Sequence, residues 1–149
     1  MHPLIRAFPS RAYYDDRISD GANVIERKLE PEIAKMSEVF RRKVFFDLAE
    51  SKELVESRSK SNPDEVLFTL NLIKYIVSVT CKGRGLQQMA GRIAIITPYT
   101  AQVLAIKNAV NAWCRAQNCK DAIEINTVDA FQGREKDIVI FNCVRSNKL

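Results

Sequence analysis

At 149 residues and 17.0 kDa the chain has the length of one domain, and its 46% hydrophobic content supplies a core and excludes a disordered tail. A formal net charge of +5 and a pI near 9.1 lean toward a polyanionic partner. Four cysteines without a CxxC pair, and a single histidine, His2, far from them in sequence, argue for reduced thiols in a nuclear or cytoplasmic protein and against a metal site.

No stretch reaches the roughly 18 apolar residues of a membrane-spanning helix, so no membrane partner is expected. Residues 1–14 carry two arginines and no acid, yet their two prolines and scarce serine set them apart from a transit peptide. Residues 3–14 read as short helical pieces broken at Pro9, and residues 15–23 (DDRISDGAN) as polar turns. Residues 24–42 have no clean period and are divided by Pro31, so they read as irregular with a helical turn or two. The β-branched and aromatic run RKVFFDLA at 42–49 reads as a buried strand.

Residues 50–61 are charged and serine-rich, a solvated loop or mobile hairpin. Asn62-Pro63-Asp64-Glu65 then marks a helix start: Asn suits the cap, Pro the first helical position, and the two acids the positive end of the dipole. Leu67, Leu70, Ile73 and Val77 carry that helix to about Thr80, and Gly83 and Gly85 end it. Residues 92–97 (RIAIIT) predict a central strand. A helix follows over about 100–117, with Val103, Ile106, Val110 and Trp113 on one face. Residues 122–128 and 137–144 predict two more strands, joined by the polar turn 129–136.

Helices alternating with apolar strands define an α/β chain with a mostly parallel sheet flanked by helices. Ligands of such sheets bind at the carboxyl ends of strands. The two most polar exits are Thr97-Pro98-Tyr99 and the loop beyond Val128. At the second, Thr127 offers a hydroxyl and an amide to a phosphate, and Gly133 allows close backbone approach. Gln132, Arg134, Glu135 and Lys136 crowd an amide, two cations and an acid into one loop.

The string TVDAFQGREKDIVIFNCVR at 127–145 resembles the fifth motif of superfamily 1 helicases of the senataxin and nonsense-mediated-decay (up-frameshift-like) type. IITPYTAQ at 95–102 resembles their strand-to-helix segment ITPYxxQ. Met1-His2-Pro3, Phe8-Pro9-Ser10 and Asp20-Gly21 resemble a further motif, and Asn62 and Glu65 match a family position. Only residues 25–41 and 50–59 are featureless against the family, and IVIFNCVRSN with VFFDL points to its senataxin-like branch.

The resemblance implies a RecA-like P-loop NTPase fold, with residues 1–149 as part of the second, C-terminal motor domain. It implies ATP with Mg2+ as cofactor, single-stranded RNA or DNA as a partner, and the first RecA-like domain of the same helicase as another. Gly133 and Glu135 should then face the nucleotide, with Gln132 and Arg134 lining the same loop. Thr97, Pro98, Tyr99 and Thr127 should meet the nucleic acid, Tyr99 by stacking. The family's GxxxxGK[ST] phosphate loop and acidic magnesium pair belong to its first motor domain and do not occur here. Its two γ-phosphate arginines are expected before Met1 and beyond Leu149, so the polypeptide alone is expected to be inactive. The alternative is a non-catalytic RecA-like remnant that binds nucleic acid or protein. The intact QGRE string favours the helicase ancestry.

Overall fold

A computed structural model describes residues 2–25, 28, 31–34, 40–80, 86–119 and 123–145. The chain forms two compact units, Met1–Phe46 and Asp47–Leu149, each treated by itself below.

The first unit opens with α1 (Pro3–Tyr13). His2 caps it, its Nδ1 accepting the Leu4 N–H at 3.2 Å, and Pro3 sits where a missing N–H costs nothing. The break expected at Pro9 does not occur, and Pro9 lies inside one continuous helix. Proline removes one ladder bond, and this helix is fastened from outside through its first half. Arg6 Nε reaches both Asp20 carboxylate oxygens at 2.9 Å, and Arg6 Nη1 reaches the Ile18 carbonyl at 2.8 Å. The polar turn after Tyr14 is thus tied back to the helix, and it leads into α2 (Ala22–Ile25) and α3 (Pro31–Ala34).

Residues 42–49 form no strand, contrary to their composition. Phe45 is 81% exposed. Strand preference in such residues reflects packing against a neighbouring strand, and no described strand pairs with them.

The second unit begins with β1 (Leu54–Glu56) and β2 (Ser59–Ser61), an antiparallel hairpin in register Leu54↔Ser61 and Glu56↔Ser59. Of the two readings of 50–61, loop or hairpin, the hairpin is the one that forms. Next comes α4 (Pro63–Thr80), capped as its sequence predicts, with Asn62 Oδ1 accepting the Glu65 N–H at 3.2 Å. Its buried stripe runs through Thr69, Ile73, Ile76, Val77 and Thr80, and Leu67 faces outward at 59% exposure. The helix end expected at Gly83 and Gly85 lies outside the described residues.

After α5 (Leu86–Ala90) come β3 (Ile93–Thr97), α6 (Thr100–Ala116), β4 (Glu124–Thr127), a 3-10 turn (Asp129–Phe131) and β5 (Ile138–Phe141). The three strands form a parallel sheet in the order β4-β3-β5. As the sequence predicts, β3 is central, and its Ile93, Ala94 and Ile95 are wholly buried, the continuous apolar run of a strand covered on both faces. α6 turns Gln102, Ile106, Val110 and Cys114 inward.

A buried polar network joins the starts of α4 and α6 to the end of β5. Gln102 Oε1 accepts the Asn62 N–H at 2.8 Å, and Gln102 Nε2 donates to Asn142 Oδ1 at 2.5 Å. Asn142 Nδ2 donates to Thr69 Oγ1 at 2.9 Å. Val144 is fully buried at φ 71°, an uncommon conformation for a β-branched residue. Both of its backbone groups are held: its N–H donates to Glu65 Oε2 at 2.9 Å and its carbonyl accepts Asn62 Nδ2 at 3.0 Å. No helix among the described residues is long and apolar enough to cross a membrane.

Candidate nucleic-acid and nucleotide interface

Parallel pairing brings the two polar strand exits together. Thr97 at the end of β3 is in register with Thr127 at the end of β4, and the Val128 N–H extends the ladder to the Thr97 carbonyl at 3.2 Å. Pro98 is exposed and Tyr99 half-buried at this edge. Tyr99 occupies the capping position of α6 without a side-chain bond to it. The cap comes from the hairpin, where Ser59 Oγ accepts the Ala101 N–H at 3.0 Å and the Thr100 hydroxyl at 3.2 Å.

Thr97, expected to meet the nucleic acid, has its side chain turned inward. Its side chain is wholly buried, and its Oγ1 is the one buried side-chain oxygen or nitrogen among the described residues without a hydrogen-bond partner. The surface at this exit belongs to Pro98, Tyr99 and Thr127. Thr127 Oγ1 accepts the Ala130 N–H at 3.3 Å and so starts the turn that follows.

That turn does not hold its polar cluster at the carboxyl exit. Because β4 and β5 are parallel and flank β3, residues 128–137 must travel from the carboxyl end of the sheet to its amino end. Phe131 is buried and anchors the start of the crossover, while Gln132, Gly133, Arg134 and Glu135 are exposed along it. Gly133 has φ 77°, and a Cβ placed there would meet nothing within 4 Å. Arg134 ends on the Glu124 carboxylate at the first residue of β4. Lys136 Nζ lies 3.5 Å from the same carboxylate and 2.9 Å from the Gly91 carbonyl. Arg92 pairs with Asp137 at 2.7 Å beside the start of β5. The expected nucleotide set and the expected nucleic-acid set are therefore on one connected segment but at different levels of the sheet.

Glu124 organises the amino-end cluster, and nothing in its sequence surroundings marks it. Partial burial opposes its charge, but the hydrogen bond and charge of Arg134, joined by Lys136, hold the carboxyl below its usual range. Ser59 was equally hidden, since a serine in a charged loop carries no sign of the helix it caps. Asn62 and Gln102 were visible as motif residues, but their partnership was not. A surface groove of about 330 Å³ beside Leu54, Leu67, Leu70 and Ala109 is apolar and contains none of these residues.

Comparison with known proteins gives the chain's family. The family described as AAA domain matches residues 1–149. "Probable helicase MAGATAMA 3" of Arabidopsis thaliana is 37% identical over 99% of this chain. "Helicase sen1" of Schizosaccharomyces pombe is 32% identical over 98%, and "Probable helicase senataxin" of Homo sapiens 32% identical over 100%. The chain covers 18%, 8% and 5% of those three proteins. The chain belongs to this AAA-domain family, in its superfamily 1 helicase branch of senataxin and up-frameshift type, with a RecA-like α/β fold.

Proposed function

We propose that this chain is a segment of the second motor domain of an ATP-dependent helicase, supplying a single-strand contact surface and one wall of the nucleotide site. The observation that carries the first part is the Thr97↔Thr127 register, which makes one surface of two segments far apart in sequence. The exposed Pro98, the half-buried ring of Tyr99 and the Thr127 backbone suit a sugar–phosphate chain gripped without base reading.

The exposed, open stretch Gln132–Gly133 fits a nucleotide's phosphates through its backbone, and Glu135 beside it offers a carboxylate to a ribose hydroxyl. Bound ATP would supply the free energy for motor closure. Here Arg134 is engaged by Glu124, so its movement toward a nucleotide requires exchange of that ion pair. Among the described residues no group of three His, Cys, Asp or Glu could hold a metal ion. Magnesium ligands and the phosphate loop are assigned to the first motor domain, the partner across the nucleotide. The relatives' names as helicases support this reading.

Fluorescence anisotropy with a labelled single-stranded oligonucleotide tests it. Binding should weaken linearly in log–log form as salt rises, and Tyr99→Ala should cost about tenfold, with the helical signal by circular dichroism unchanged. Absence of binding at low salt, or full affinity in Tyr99→Ala, would contradict the reading.

A further inference from the structure

We propose that Arg58, at the tip of the β1–β2 hairpin, is an additional phosphate-contacting residue of the single-strand surface, held beside the Tyr99–Thr100 exit by Ser59. This extends the nucleic-acid reading above and rests on it. Two strands of three residues make a marginal hairpin, so the position of its tip depends on what fastens it. The fastening is specific. Ser59 Oγ takes the Ala101 N–H at 3.0 Å and the Thr100 hydroxyl at 3.2 Å, residues 42 and 41 positions away. Arg58 precedes Ser59 in the chain, so its backbone is carried beside the start of α6, where the chain has just left β3.

Most charges around the hairpin are already engaged. Lys60 is paired with Glu53 at 2.5 Å, and Arg145 approaches the other oxygen of Glu53 at 3.2 Å. Glu56 is engaged by the Ser61 hydroxyl. Arg58 is exposed and has no hydrogen bond or ion pair among the described residues. Ser57 before it has φ 54°, a left-handed conformation that costs a residue other than glycine some strain and persists where the surroundings impose it. An exposed arginine on a loose loop is a solvated charge. One carried on a tethered tip beside a proposed backbone-binding edge loses less freedom on meeting a phosphate, which its planar fork of donors matches.

The test compares Arg58→Ala, Arg58→Lys, Ser59→Ala and a matched charge loss, Lys107→Ala, at an exposed site two turns along α6. Anisotropy with a single-stranded oligonucleotide is read across a salt series. Arg58→Ala should weaken binding about three- to tenfold at low salt and reduce the log–log salt slope by about 1, with an unchanged melting temperature. Arg58→Lys should keep the slope, Ser59→Ala should lose affinity with Arg58 still present, and Lys107→Ala should keep both affinity and slope. If the unaltered chain binds and Arg58→Ala behaves as Lys107→Ala does, Arg58 has no such role and the broader reading survives. If the unaltered chain does not bind, both fall.

Discussion

At Thr97 a hydroxyl is buried without a hydrogen-bond partner. Leaving such a group unpaired costs about 1–3 kcal/mol, whereas an apolar group of the same shape avoids the cost. Thr97→Val should therefore match or exceed the stability of the unaltered chain in urea denaturation, and a loss above about 1 kcal/mol would show that the hydroxyl is bonded after all. Glu65 poses a different cost. Burial pushes its carboxyl above the usual range, and the Val144 N–H offsets this only in part. The folded state then holds that proton more tightly than the unfolded one. The resulting stability is complete below the ordinary carboxylate range and is lost as pH rises through the raised value. Glu65→Gln should flatten this slope, because glutamine still accepts from Val144 without a charge to bury. An unchanged pH dependence of stability in the variant would contradict the assignment. Glu124 acts in the opposite sense: held low by Arg134 and Lys136, it adds stability above the ordinary range that disappears as pH falls through its lowered value.

At the scale of elements, α4 and α6 were legible because a helix writes its period and its cap locally. Asn62-Pro63-Asp64-Glu65 named one start outright. β3 was legible as an apolar run, and β4 and β5 were recognisable around a polar turn. Residues 42–49 misled for the converse reason, since VFFDL has a strand's composition and a strand exists only with a neighbour. Of the candidate site, the two exits and the length of the turn between them and the last strand could be read, but the course of the crossover could not. The passage of Arg134 down to Glu124 follows from two parallel strands flanking a third, an order that hydrophobic pattern does not encode. The anchoring of the hairpin on α6 and much of the polar network rest on contacts spanning 40 or more residues, such as Ser59 to Ala101, Asn62 to Gln102 and Glu65 to Val144. Asn62 is the keystone among these, with Oδ1 on Glu65 and Nδ2 shared by Ser51 and Val144. Asn62→Ala removes a cap and leaves buried groups unpaired. It should cost on the order of 3 kcal/mol in urea denaturation. A loss under about 1 kcal/mol would mean the network is dispensable.

Across the whole molecule, the parallel sheet sets Thr97 and Thr127 side by side at its carboxyl end and leaves the glycine loop on the crossover toward its amino end. Family membership is carried by the full length of the chain, while the chain covers only a small share of each relative. The helicase reading thus depends on whether its surfaces bind what the motor would hold. Amide chemical shifts of the nitrogen-15-labelled chain, titrated with a single-stranded oligonucleotide, test this most directly. Tyr99, Thr100, Thr127 and Val128 should move together, with Glu124 and Lys136 at the far end of the sheet unmoved. Shifts confined to the Glu124–Lys136 cluster, or none at any ratio of oligonucleotide, would contradict the account.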